Sequence, residues 1–325
     1  MAVIGPHIVD VLGRPVETIP AGQGSARLTE IRATAAGTAA GTAVDLAKLG
    51  ARVCTFGAIG DDLLADILLA ALASHGVTTA GLVRTPAAQT SATILPIRSN
   101  GERPALHVPG ATRLLQLADL DLAALADADA LVLGGPDALT GLSGSDLAAI
   151  VTAARAGGAL VLADVLHPGS ERDFSRIAGA LAGTDWFCPN SDQLLALTGR
   201  ADLEPAIADV LALGTGGVAV TLGADGCLVT AADGLTHLPA IAVDVVDTTG
   251  CGDAFSAGML TGLLLGCAPA DAAWLGVACG ALAATGLGSD AGLESLAQVL
   301  DFLSAASTEA AARITAAIGE RERVR

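Results

Sequence analysis

The chain has 325 residues, 52% of them hydrophobic and 16% charged. That is enough apolar material for one large α/β domain with an appendage, or for two domains, and it argues against disorder. A formal net charge of −17, with Lys48 the only lysine, argues against a nucleic-acid groove or an anionic membrane surface as partner. The mean hydropathy of +0.60 reflects abundant Ala, Leu and Val. No uninterrupted apolar run reaches the roughly 20 residues of a spanning helix. The six cysteines (Cys54, Cys188, Cys227, Cys251, Cys267, Cys279) are scattered singly, which suits buried free thiols in a reducing, cytoplasmic setting and argues against a structural zinc site.

In chain order, Met1–Gly5 reads as a first strand with no basic region ahead of it, and so not as a signal peptide. Asp10 follows at the strand's end. A carboxylate at the carboxyl end of a strand in a parallel sheet suits paired sugar hydroxyls, and serves equally as a cap. Residues 11–34 are polar and carry Pro15, Pro20, Gly22 and Gly24, while 88–109 alternate like antiparallel strands around Asn100-Gly101, a strong hairpin signal. The two insertions can pair into a small sheet over one edge of the domain, as a lid would. Between them, Gly37-Thr38-Ala39-Ala40-Gly41-Thr42-Ala43 opens a helix that ends at Leu49-Gly50. Small residues there permit close approach of a ligand to backbone N–H groups, or simply tight helix–sheet packing.

Apolar runs at 51–58, 130–133, 159–163, 185–188 and 217–222 alternate with Ala/Leu-rich helical stretches. Continuous hydrophobic strands in repeated βα units predict a mostly parallel sheet covered by helices on both faces. Asn190 stands at the end of the 185–188 strand, where it can also cap the helix closing in Leu197-Thr198-Gly199. Thr221 to Gly226 end the next strand in a turn that shapes either a nucleotide-sized groove or a hairpin. The histidines His7, His75, His107, His167 and His237 show no metal-ligand spacing and read as structural or exposed. The tail, 308–325, reads as a charged, peripheral amphipathic helix.

The most informative stretch is Asp247-Thr248-Thr249-Gly250-Cys251-Gly252-Asp253-Ala254-Phe255-Ser256-Ala257-Gly258. It follows an alternating run, 241–246, that reads as a strand, and it leads into a helix. Glycines at a helix N-terminus present backbone N–H groups and the positive dipole end to a phosphate or developing anion. A resting phosphate would be repelled by Asp253, so that carboxylate reads as a base for an attacking hydroxyl, or as a simple N-cap. The P-loop Gly-x4-Gly-Lys-Ser/Thr, the dinucleotide Gly-x-Gly-x-x-Gly and the Gly-x-Ser-x-Gly elbow are all absent from the chain.

Taken together, these residues resemble the ribokinase-like (PfkB) carbohydrate kinases over nearly the whole chain. Asp247–Gly258 is similar to the family's C-terminal signature, residues 37–60 to its N-terminal one, and Gly101-Glu102-Arg103 to its lid turn. The resemblance implies a single three-layer α/β/α domain over 1–325, a mostly parallel central sheet, and a small β lid built from insertions at about 11–34 and 88–109. It implies ATP-dependent phosphoryl transfer to a sugar or polyol hydroxyl, with Asp253 as general base and the N–H groups of Gly250, Cys251 and Gly252 as an anion hole. Asp10, Gly37, Thr38, Gly41 and Arg103 would hold the acceptor. Asn190, Thr221, Gly223, Asp225, Gly226, Gly252 and Val277 would face the nucleotide, with Mg²⁺ held through water and phosphates near Asn190 and Gln193. Some members bind K⁺, which would sit at Asp247, Thr249 and the carbonyls of Ala283, Gly286 and Gly288. A homodimer through the lid follows as a further expectation.

Three departures stand out. Gly41 replaces a substrate-binding Asn, Gln193 replaces the Glu of Asn-x-x-Glu, and Cys251 replaces Ala in the anion hole, as a tolerated small residue at a helix N-terminus that can lower a thiol pKa. They leave open a nucleoside kinase of the same fold or a catalytically weak ligand-binding member.

Overall fold

The computed structural model describes residues 1–167, 169–231 and 234–324. Seven strands, Ala2–Ile4, Cys54–Gly60, Thr78–Thr85, Ala130–Gly134, Leu160–Asp164, Trp186–Phe187 and Gly217–Thr221, form the parallel part of a nine-stranded sheet. The antiparallel hairpin Cys227–Ala231 and Gly234–Leu238 extends one edge. Successive residues of a strand point to opposite faces, and here both faces are dry. Leu131 and Leu133 enter one apolar core, and Val132, between them, enters the other. This accounts for the unbroken apolar runs of the sequence: a strand covered on both sides has no solvent face to mark with polar residues.

The helices Gly37–Lys48, Leu63–Ser74, Cys251–Leu264 and Pro269–Ala283 supply the first core, and Gly144–Ala156, Glu171–Leu181 and Leu203–Ala212 the second. The terminal helix Thr308–Val324 also contributes, burying Ala311 and Ile314 in the first core and pairing Arg313 with Asp271 at 2.8 Å. Among the described residues, no helix is long and apolar enough to cross a membrane. The described cysteines are free thiols.

The two insertions do pair. Strands Ile8–Arg14, Glu30–Ala36, Ser91–Pro96 and Leu106–Val108 form a separate four-stranded sheet. Its first and third chain segments meet in parallel, Asp10 opposite Thr93, and its hairpin turns at Asn100-Gly101, where Gly101 has φ +85°. One face of this sheet presents Leu12, Leu95 and Ile97 to Leu287 and Val246 of the large domain's loops. That apolar plug fixes the sheet over the carboxyl ends of the parallel strands.

The run at 241–246 is not a strand. Its apolar residues pack a loop instead, and out of alternation: Ile241 packs on the first core, Val245 is 58% exposed, Val246 joins the apolar plug, and the N–H of Val246 is bound by the Ala284 carbonyl at 2.8 Å. A short alternating run therefore reads as a strand only where a neighbouring strand supplies partners.

Leu95 is 2% exposed. Leu95→Ala is expected to cost about 2–4 kcal/mol in denaturant unfolding. An unchanged midpoint would mean that the plug does not hold the small sheet in place.

Candidate active site

The loop before helix Cys251–Leu264 is stapled by Asp247. One of its oxygens accepts from the N–H and hydroxyl of Thr249 at 3.1 and 2.8 Å, the other from the N–H of Gly288 at 3.0 Å. Gly250 then turns the chain with φ +81°, and any Cβ there would lie 2.6 Å from the Ser289 Cα. No side chain caps this helix, and nothing lies within 4 Å of a Cβ built on Gly252. The helix therefore presents bare first-turn amides to open space, the arrangement that receives an anion.

Asp253, in the first turn, is partly buried. Desolvation raises its pKa to about 7, Asp10 adds to the rise, and Arg103 opposes it. Arg103 reaches from the small sheet to the helix loop, its Nε donating to Thr248 Oγ1 at 3.1 Å. Asp10 is itself raised to about 6 by burial, against a hydrogen bond from Thr93 and the charge of Arg103. The structure thus brings Asp10, Arg103, Asp253 and the Gly250–Gly252 amides to one place.

Gly41 belongs to the same place. A Cβ built on it would sit 2.5 Å from Asp253 Oδ2, so the missing side chain is what allows the carboxylate to lean on the helix Gly37–Lys48. Gly37 serves packing instead: at φ +85° it leaves 2.7 Å between a built Cβ and the Pro6 carbonyl. Thr38 is buried with its hydroxyl unpartnered among the described residues, next to Gly134 and Gly135.

Cys251 corrects an expectation. Burial pushes its thiol up to about 12, with Asp247, Asp253 and Asp45 adding and only Arg103 opposing. The desolvation and carboxylate crowding outweigh the helix dipole, so the side chain is a neutral thiol.

At the neighbouring strand ends, Asn190 and Thr221 form an isolated parallel bridge. Asn190 caps helix Ser191–Thr198, exchanging hydrogen bonds with Gln193 at 2.8 Å in both directions, while Gln193 Nε2 donates to the Val165 carbonyl at 2.8 Å. That last bond explains a Gln here, because a carboxylate has no hydrogen to give a carbonyl. It also means that neither side chain stands ready as a direct metal ligand. Among the described residues, no group of three or more His, Cys, Asp or Glu could hold a metal. The Thr221–Gly226 turn is both a hairpin and an open rim: Gly223 and Gly226 take φ +60° and +91°, and the Asp225 carbonyl binds His237 Nε2 at 2.7 Å. Val277 lies buried on helix Pro269–Ala283, which packs against that hairpin. The loop carbonyls near Asp247 are partly spent as well, since Ala283 O accepts from Gly286 N at 3.3 Å.

Sequence reasoning passed over several groups. Asp164 ends a parallel strand of the large sheet, where the strand-end rule applies, whereas Asp10 lies within Ile8–Arg14 of the small sheet and not, as expected, at the end of the first strand. Asp164 is buried, bonded to Ser256 Oγ at 3.3 Å, and raised well above the usual range by burial and by Asp253. Asp45 lies one turn beyond Gly41, 1% exposed, with neither carboxyl oxygen partnered among the described residues. Burial raises its pKa far above the ordinary value, Lys48 opposes, and Asp253 and Asp290 add. Helical periodicity puts Asp45 on the Gly41 face, but a charged residue in an amphipathic helix reads as solvated. Thr93, His107 and His167 are brought to the site only by strand register and by a loop.

Gln193→Glu is expected to lower stability by about 1–3 kcal/mol near neutral pH, because a buried carboxylate would then oppose the Val165 carbonyl. Thermal unfolding checks it, and an unchanged or higher Tm would show that the Val165 bond is dispensable.

Known proteins resemble the chain in sequence and in fold. The chain is 30% identical over 275 residues to an ATP-dependent ribose-1-phosphate kinase of Halopiger xanaduensis, spanning 83% of this chain and 86% of that one. It is 28% identical over 265 residues to a deoxyribokinase of Salmonella typhi, spanning 78% and 82%. Its fold matches that of an Arabidopsis thaliana ribokinase complexed with ribose and ATP, with a TM-score of 0.77 at 23% identity over 93% and 97% of the two chains. The model of the pfkB family carbohydrate kinases matches residues 1–296. The chain belongs to the PfkB family of carbohydrate kinases.

Proposed function

We propose that the chain transfers the γ-phosphoryl group of ATP to a hydroxyl of a sugar or sugar-like polyol. The observation that carries this reading is Asp253, a carboxylate with its pKa raised to about 7 in the first turn of an uncapped helix, facing Asp10 and Arg103. A base whose pKa lies near the working pH is best placed to remove a hydroxyl proton. Asp253 takes that proton as the acceptor oxygen bonds to the γ-phosphorus. The bond from phosphorus to the β–γ bridging oxygen breaks, and ADP leaves. The amides of Gly250, Cys251 and Gly252 face the charge that develops on the transferred group.

Asp10, Thr38, Gly41 and Arg103 line the acceptor side of this reading, under the small sheet acting as a lid, with Gly37 packed behind them against the Pro6 carbonyl. Asn190, Thr221, Gly223, Asp225, Gly226, Gly252 and Val277 line the nucleotide side. Asn190 and Gln193 would hold Mg²⁺ through water, and the ion would supply neutralisation of the phosphate charge. K⁺ at Asp247, Thr249, Ala283, Gly286 and Gly288 is tested by assaying with and without the ion. The outer face of the small sheet exposes Ile31, Ile94, Leu106 and Val108 by 70, 57, 60 and 45%, and a second copy of the chain is the occupant this reading assigns to it. Sedimentation should give a dimer that Ile94→Lys dissociates, and a wild-type monomer would remove that assignment.

Asp253→Asn should abolish nearly all turnover, about 10²–10⁴-fold, on an acceptor panel of pentoses, hexoses and nucleosides, with folding and ATP affinity retained. In the wild type, kcat/KM should fall about tenfold per pH unit below about 7, since protonation removes the base and Asp253 is raised to about 7 in the free protein. Substantial turnover by the variant, or a flat profile from pH 5 to 8, would displace Asp253 from this role.

A further inference from the structure

The inner face of the small sheet carries a polar row that begins at Asp10 and ends on the large domain. Asp10 and Thr93 are register partners, as are Thr93 and His107, so the three side chains cross three adjacent strands on one face. Thr93 hydrogen-bonds the Asp10 carboxyl, and Thr93 Oγ1 lies 3.0 Å from His107 Nδ1. The Thr93 hydroxyl has one hydrogen, and an ionised Asp10 can only accept it. His107 then donates to Thr93 from Nδ1, and a hydrogen bond from the ring to the Ala92 backbone carbonyl holds it as well.

Across the gap, the His107 ring meets that of His167 edge-on, with centroids 6.4 Å apart and planes inclined by 62°. His167 follows the strand Leu160–Asp164 and is aimed by Asp137. The buried Asp137 carboxylate accepts from the N–H groups of Leu166 and His167 at 2.9 and 3.0 Å and contacts His167 Nδ1 at 3.2 Å. The Asp137 backbone carbonyl is fixed in turn by Arg176 at 2.8 Å. The His167 side chain remains 52% exposed, and among the described residues nothing hydrogen-bonds its Nε2. Two imidazoles, each oriented through Nδ1 by a buried or register-fixed partner, thus stand at the end of the row opposite the Arg103–Asp253 end.

We infer that His107 and His167 form the specificity end of the acceptor site, hydrogen-bonding hydroxyl groups of a sugar or polyol distal to the hydroxyl that is phosphorylated. This rests on the kinase reading above and narrows it to acceptors that are polar at both ends. A ring nitrogen that the protein leaves unspent accepts from a hydroxyl, or donates to it when the ring is protonated, so a hydroxyl suits either state. An acceptor with an apolar distal end leaves both rings unpaired, and such a mismatch is rejected strongly.

The test crosses His107→Phe and His167→Phe with mono-deoxy analogues of the best sugar acceptor, chosen from ribose, fructose and glucose. One deoxy position should raise the wild-type KM tenfold or more. Each variant should raise KM for the parent sugar by a similar factor, leave KM for ATP unchanged, and add nothing further on that one analogue. If a variant lowers turnover of every acceptor equally, or changes no acceptor's KM, the pair is only a contact between lid and domain and the inference falls. If the wild type phosphorylates no acceptor, the kinase reading falls instead, and calorimetric binding of the same sugars decides the histidines. Equal affinity for wild type and His107→Phe would then overturn them.

Discussion

The withdrawal of Asp253 from water is the constraint on which the site depends. A carboxylate can be a useful base near neutral pH only if something disfavours its charge, and here burial does so with help from Asp10. Asp164 and Asp45 feel Asp253 in turn and are themselves held well above the ordinary carboxylate range. Arg103, lent by the small sheet, is the nearby cation that works in the opposite direction on both Asp10 and Asp253. The native carboxyls of Asp10 and Asp253 titrate at about 6 and about 7, against 3.8 for an ordinary one. Between those values the folded chain holds more protons than the unfolded one, so these groups subtract stability as pH rises through that window. The site is maintained against that cost by the rest of the fold.

The small sheet is the other half of the arrangement. Its apolar plug and its polar row share one face: Leu12 and Leu95 sit two residues beyond Asp10 and Thr93 on their strands. The period of two in a strand places both sets inward together, so the packing that seats the sheet also aims its hydrogen-bonding groups. The net charge of −17 does not prevent anion binding, because bare helix amides and one arginine set the local field.

Much of this was legible in the sequence where local chemistry and fold agree. The parallel strands, the hairpin at Asn100-Gly101 and the uncapped glycine turn before Asp253 all follow from short-range patterns, while Asp10, expected at the end of the first strand, lies inside a strand of the small sheet. What escaped depends on tertiary neighbours. The run at 241–246 alternates in residue type, yet it is a loop whose burial follows its tertiary neighbours, with Val246 packed and Val245 exposed. Cys251 sits at a helix N-terminus, yet its pKa is set by burial and by carboxylates distant in sequence. His107 and His167 are sixty residues apart in number and become a pair only through strand register and a loop held by Asp137. Gln193 reads as a weakened metal residue until its bond to the Val165 carbonyl shows what the amide is for.

Gly41 has a consequence for how such a site can diverge. The space its side chain would occupy is taken by the Asp253 carboxylate, so the helix surface and the base are one steric unit. Any larger residue at 41 acts first on where the base points and only afterwards on the acceptor. A side chain as large as the Asn that the resemblance places at 41 would thus have to displace the Asp253 carboxylate in this chain, whereas the lid strands and the loop after Asp164 can vary without that displacement.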